Sequence, residues 1–213
     1  MNEFSLSVLR PGAPEQHVAF NHDRASALDL SARVSVEGDR LELEIEGSGQ
    51  AVVTLWLNPE FSLPFPLLPG FMIGDNRPGA TGPGYPQLAP LPDLTPPHML
   101  SPYWGIRADR ATAPVAFLFG DEGMRALAVP PYSGKQVNGL RFCLQRGIGI
   151  SIGHVVEPIL YVHDSQSEPA SRGYHEFTGR ETFTCRLFTS ADGDRRGQAA
   201  VIRRLYELHH EAA

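Results

Sequence analysis

Leu41, Leu43 and Ile45 alternate without a break with Glu42, Glu44 and Glu46. A period of two puts three aliphatic side chains on one side of an extended chain and three carboxylates on the other, so this segment is a half-buried strand. Arg33 to Glu37 alternates in the same way, and Gly38-Asp39 between the two suits a two-residue hairpin whose first position needs a positive φ. Ala51 to Leu57 then sets Val53, Leu55 and Leu57 on one face and Val52, Thr54 and Trp56 on the other. Apolar side chains on both faces call for a strand covered from both sides. Phe4 to Leu9 and His17 to Phe20 read as an earlier pair at an edge.

From Asn58 to Arg110 the alternation stops, and twelve of the nineteen prolines fall there with six glycines. Proline removes a backbone donor, so the segment reads as no sheet interior. Phe61, Phe65, Phe71, Tyr85, Tyr103 and Trp104 give it too much apolar area for a solvated linker. The expectation is a long ordered loop packed by its own side chains. Strands resume at Val115–Phe119, Ala126–Val129, Gly139–Gln145, Gly147–Gly153, Leu160–His163 and Glu181–Phe188. In the fourth of these, Ile148, Ile150 and Ile152 share one face, while Gly147, Gly149, Ser151 and Gly153 share the other. A glycine-lined face admits another backbone or a ligand, or marks a tightly curved sheet.

The last residues change period. Val201, Ile202, Leu205, Tyr206, Leu208 and His209 form an apolar stripe at helical spacing, with Asp192 or Asp194 placed to cap it. The expected fold is therefore all-β: an antiparallel two-sheet β-sandwich over residues 1–194, with 58–110 inserted as the Pro/Gly-rich loop and one amphipathic helix over 195–213.

Charge and composition exclude several functions. A net charge of −6 with no Lys/Arg run argues against nucleic acid, and apolar stretches of only strand length argue against a membrane span. The opening Met1-Asn2-Glu3-Phe4-Ser5-Leu6 lacks a basic and then apolar leader, which points to the cytoplasm. Cys143 and Cys185 make no disulfide framework and read as buried small hydrophobes. Eight histidines include the clusters His163-Asp164, Tyr174-His175-Glu176 and His209-His210, yet no pair has zinc-ligand spacing, so neither metal nor cofactor is expected. There is no nucleophile elbow, and Ser133-Gly134-Lys135 is a turn after Pro130-Pro131. Asp75, Asp93, Asp109, Glu157, Asp164 and Glu176 are candidate carboxylates for glycosidic chemistry by position only.

Two stretches of the long loop join planar hydrogen-bonding groups to apolar anchors: Phe71-Met72-Ile73-Gly74-Asp75-Asn76-Arg77 and Ser101-Pro102-Tyr103-Trp104-Gly105-Ile106-Arg107. Sugars are held by this mixture, rings on aromatic faces and hydroxyls on Asp, Asn and Arg. Asp75, Asn76, Arg77, Tyr103, Trp104 and Arg107 are thus the candidate substrate-binding residues; the alternative is a loop whose aromatics are its private core.

The order of Pro69–Arg77, Ser101–Arg110 leading into Pro114-Val115-Ala116-Phe117, and a late Arg204-Leu205-Tyr206-Glu207 resembles the N-terminal β-sandwich domain of bacterial glycoside hydrolases. In those enzymes the sandwich is similar to the galactose-mutarotase-like supersandwich, and a linker helix leads to an (α/α)6 catalytic toroid. The resemblance implies a non-catalytic domain that borders a carbohydrate cleft and docks on a toroid this chain lacks, or self-associates through its helix. No catalytic residue is carried over. Val201, Leu205 and Tyr206 are then expected in an exposed docking surface. Two other readings stand beside it. One is an aldose-epimerase-like enzyme using His98, His154 or His163 with Glu157 or Glu176; the other is a structural or protein-interaction sandwich without ligand.

Overall fold

The computed structural model describes residues 3–58, 65–68, 72–73, 103–120, 123–143, 146–156, 171–191 and 195–211. In chain order the strands are β1 (Phe4–Leu9), β2 (Gln16–Ala19), β3 (Arg24–Ala27), β4 (Leu30–Glu37), β5 (Arg40–Leu57), β6 (Phe65–Leu68), β7 (Met72–Ile73) and β8 (Tyr103–Arg107). After a short 3-10 turn at Ala108–Arg110 come β9 (Val115–Gly120), β10 (Gly123–Ala128), β11 (Tyr132–Ser133), β12 (Gln136–Val137), β13 (Gly139–Cys143) and β14 (Gly147–Ile152). The chain continues through β15 (His154–Val156), β16 (Ser171–Gly173) and β17 (His175–Ser190) to a helix, α1 (Arg195–Glu211). The fold is all-β with one C-terminal helix, and among the described residues every strand pairing is antiparallel.

The sandwich is one sheet folded over on itself. Strand β5 is 18 residues long, and its two halves belong to different layers. Its first half lies between β4 and β17, so Glu46 faces Ser31 on one side and Arg180 on the other. Its second half lies between β1 and β14, so Leu55 faces Leu6 and Ile150. The first layer therefore runs β2-β1-β5-β14-β13-β8 and the second β7-β6-β9-β10-β17-β5-β4-β3. The turn between layers falls at glycines: Gly47 has φ +152°, Gly49 has φ +86°, and Gly179, which faces Gly47 across the ladder, has φ +138°. These are backbone angles that L side chains rarely adopt.

The alternation read from the sequence holds. Leu41, Leu43 and Ile45 are buried while their glutamate neighbours reach solvent. Gly38 takes φ +61° in the β4–β5 hairpin, and Ala51–Leu57 is buried on both faces. The core joins Leu6, Val53, Leu55, Leu140, Ile148 and Ile150 of the first layer to Val34, Leu43, Leu118, Leu127, Phe177 and Leu187 of the second. Of the early pair, only β2 is an edge; β1 lies between β2 and β5.

Two expectations change, and two others fall outside what the structure describes. The 58–110 segment, read as loop, contains β6, β7 and β8. Pro66 is accommodated within β6 because its position pairs with Leu118 of β9, while β7 reaches only Leu67 and Leu68; one open side spares the ladder a donor. The apolar stripe of α1 is not a bare docking face. Val201 and Leu205 pack with Val115, Phe117, Met124, Ala126 and Phe188 on the outer face of the second layer, leaving Tyr206 57% exposed. The expected strand Leu160–His163 and the capping residues Asp192 and Asp194 lie outside the described residues. Among the described residues, no helix is long and apolar enough to cross a membrane.

A Cβ at Gly47 would meet Asp29 O at 2.8 Å and the Leu30 side chain, whereas one at Gly179 meets nothing within 4 Å. Both substitutions to alanine strain the backbone, at about 1–3 kcal/mol each. Gly47→Ala adds the steric clash, so urea unfolding is expected to show a larger loss for Gly47→Ala than for Gly179→Ala.

Candidate functional site

Across the first layer, strand pairing generates two lateral rows on the face turned away from the core. One runs Ser5, Trp56, Gly149, Arg141, Gly105; the next runs Ser7, Thr54, Ser151, Gly139, Arg107. Large and small residues alternate in the first row. A Cβ at Gly149 would lie 2.8 Å from the Trp56 ring, and one at Gly105 would run into the Val155 carbonyl. The glycine-lined face is thus filled by the chain itself, by an indole on one side and by β15 on the other.

Arg107 stands at the outer end of the second row, where β8 closes the sheet. The 3-10 turn that follows brings Asp109 back beneath it. Arg107 donates from Nε to Asp109 Oδ1 at 3.0 Å and from Nη2 to Oδ2 at 2.7 Å, a bidentate pair. That leaves Arg107 Nη1 without a hydrogen-bond partner among the described residues. Tyr132 donates its hydroxyl to Asp109 Oδ2 at 3.1 Å while the residue as a whole stays 53% exposed. Arg107 holds the Asp109 carboxyl below its ordinary range, and the hydrogen bond to Asp109 raises the Tyr132 phenol.

Asn138 fixes this arrangement. Fully buried, it donates from Nδ2 to Pro130 O and to Ser133 Oγ, both at 2.8 Å, and its Oδ1 accepts from Gly153 N at 3.3 Å. Its carbonyl accepts from Ala108 N at 2.8 Å, and its own N–H donates to Pro131 O at 2.9 Å. One side chain and its peptide groups therefore tie the β11–β12 hairpin to the end of β8 and to the β14–β15 turn. The hairpin turns at Gly134, φ +59°, as the Ser133-Gly134-Lys135 sequence implies.

His154 closes the inner side and is 8% exposed. Its Nδ1 lies 3.2 Å from Val137 O, which can only accept, so Nδ1 carries the proton. Gln136 Nε2, 3.4 Å away, donates to the same carbonyl at 3.1 Å. Burial, first, and Arg107 among the nearby charges push the His154 pKa down, against the Val137 hydrogen bond and Asp109. The result is a neutral imidazole behind an open tyrosine and a partly exposed Arg–Asp pair.

Of the candidate substrate-binding residues, Arg107 is in this cluster, and beside it stand Asp109, a candidate carboxylate, and His154, a candidate of the epimerase reading. Tyr103 and Trp104 lie on β8, opposite Cys143 and Phe142 in register. Asp75, Asn76 and Arg77 lie outside the described residues, as do His98, Glu157 and His163. Asp109, Tyr132, Gln136, Asn138 and His154 were not read as one site, because strand pairing and the Pro130-Pro131 hairpin, not local spacing, assemble them. His175 makes its own pair, Nε2 to Glu181 Oε2 at 2.8 Å, with its ring edge-on to Phe177 and Phe183. Among the described residues, no three His, Cys, Asp or Glu side chains gather as a metal would require. Cys143 and Cys185 are buried, and burial pushes the Cys185 thiol up to about 12. A mostly apolar cleft of about 230 Å³ beneath α1, bordered by Val129, Pro130, Cys185 and Leu205, offers Arg186, which Asp39 already holds at 2.9 Å.

No family model matches the chain, and comparison with curated proteins and with solved structures gives no match.

Protonating His154 places a charge where water is excluded, so the folded chain binds that proton less readily than the unfolded chain. Stability is full above the ordinary histidine value of 6.5 and falls as pH drops below it. His154→Gln should flatten, though not abolish, the loss of melting temperature between neutral and mildly acidic pH. His17, whose pKa burial also lowers, keeps the remainder. An unchanged pH slope in the variant would contradict this assignment.

Proposed function

We propose that this chain is a non-catalytic β-sandwich domain of a carbohydrate-active protein, and that the Arg107–Asp109–Tyr132 edge is its sugar-facing surface. The observation that carries the reading is Tyr132: an exposed ring whose hydroxyl is held by an acid that is itself clamped by Arg107. A pyranose needs a flat apolar platform and fixed planar hydrogen-bonding groups beside it. The ring offers the first; Arg107 Nη1 and the Gln136 amide offer the second. The pair is held in place before any ligand arrives, which lowers the ordering cost of binding.

The resemblance to the sandwich domains of toroid-type glycoside hydrolases is compatible with this role. In that setting the edge borders a cleft completed by a catalytic toroid, and the domain supplies contacts and not proton transfer. One observation weighs against His154 as the acid of the epimerase reading: it is buried and already bonded to a backbone carbonyl, which removes it from an open acid–base position.

Calorimetric titration against a panel of neutral and acidic oligosaccharides tests the proposal. Saturable binding is expected, weakened roughly tenfold in Tyr132→Ala, the scale of one lost aromatic contact. Tyr206→Ala, an equally exposed tyrosine on α1, should leave it unchanged. Absence of binding across the panel, or equal effects of the two substitutions, would overturn the reading.

A further inference from the structure

The other large residue of the first lateral row, Arg141, is buried, with 2% of its surface exposed. A guanidinium does not lose its charge, so such burial is costly unless every donor is met. The structure meets it partly. Arg141 Nη1 donates to Glu15 Oε1 at 2.5 Å and to Thr54 Oγ1 at 3.0 Å, and Nη2 reaches Glu15 Oε2 at 3.4 Å. Arg141 Nε has no hydrogen-bond partner among the described residues. The guanidinium lies 5.1 Å over the Trp56 ring, a position the glycine at 149 leaves open. Arg146 approaches the same ring at 5.8 Å and the same Glu15 carboxylate at 3.7 Å. Trp56 Nε1 and Arg146 Nη1 both donate to Ser7 Oγ, at 2.8 and 3.0 Å, and His17 Nδ1 lies 3.1 Å from that hydroxyl.

Glu15 differs from its partners in where it stands. It sits on the connection between β1 and β2, where Pro11, Gly12 and Pro14 are exposed, and its own side chain keeps 20% of its surface in solvent. The sheet thus supplies Arg141 and the indole, the turn before β14 supplies Arg146, and an outer loop supplies the acid. The acid also engages the guanidinium through its two Nη atoms and leaves Nε, itself buried, unpaired, although the Nε–Nη edge offers two parallel donors to a carboxylate.

We propose that Arg141, Arg146, Trp56 and Ser7 form a recognition site for a carboxylate-bearing ligand, and that Glu15 is its built-in occupant, exchanged for the ligand's carboxylate when the β1–β2 loop swings away. Entry runs past Glu15 and Arg146, whose side chains are the partly exposed ones. The ligand's carboxylate takes the Nε–Nη edge of Arg141, and the loop's acid is released to water. The site is separate from the Tyr132 edge and does not depend on its role.

Acetate is the probe, with chloride at matched ionic strength as the reference, and the readouts are melting temperature and fluorescence of Trp56. The variants are Glu15→Ala and, should that chain fail to fold, Glu15→Gln. Saturable stabilisation by acetate is expected in the Glu15 variant. The wild-type chain should show the same effect at a roughly tenfold or higher acetate concentration, because its competent state is populated only when Glu15 is out. Adding Arg141→Lys to the Glu15 variant should abolish it. No acetate effect beyond chloride in the Glu15 variant overturns the proposal. Binding to that variant with none to the wild type also overturns it, since Glu15 would then be a permanent partner.

Discussion

Strand β5 is the constraint on which everything else rests. Its 18 residues fix the register of β4, β17, β1 and β14, and so of both layers. A strand that serves two layers must turn without breaking its ladder, and the Gly47–Gly179 pair supplies that turn at angles other residues rarely adopt. Once β5 is placed, Leu55 points into the core and Thr54 and Trp56 into the outer face. The outer rows then follow by pairing alone, and they carry Arg141 and Arg107 to their places.

The two polar clusters on that face show what burial does to an arginine. Arg141 lies mid-row between glycines, flattened on an indole and shielded from water. Arg107 lies at the edge strand, where its side chain stays 34% exposed and half its fork remains turned outward. The same residue type on the same sheet is in one case a buried charge met by an acid from the β1–β2 loop, and in the other a partly exposed group clamped by the acid two residues on. Asn138 supports the second, since its side chain and peptide groups tie the Tyr132 hairpin to the end of β8.

Much of the fold was legible because alternation is a local property. Leu41–Glu46, Ala51–Leu57 and Gly147–Gly153 each declare their faces within a few residues. The continuity of β5 was not legible, because Gly47, Ser48 and Gly49 interrupt the hydrophobic pattern between two readable halves. For the same reason β17 showed only its Glu181–Phe188 portion, although it begins at His175. β6 was hidden by Pro66, whose cost vanishes at a position paired on one side. Arg107 could be singled out beside Tyr103 and Trp104, but its partners stand 2, 25 and 47 positions further on at Asp109, Tyr132 and His154. Only the sheet brings them together.

The central claim is that the Arg107–Asp109–Tyr132 edge faces a carbohydrate. The most direct measurement is a map of backbone amide chemical shifts as an oligosaccharide is added to the isotope-labelled chain. The account predicts shifts concentrated at residues 107–110, 132–138 and 154, with α1 and the β4–β5 hairpin unmoved. Shifts centred elsewhere on the molecule, or none at saturating sugar, would contradict it.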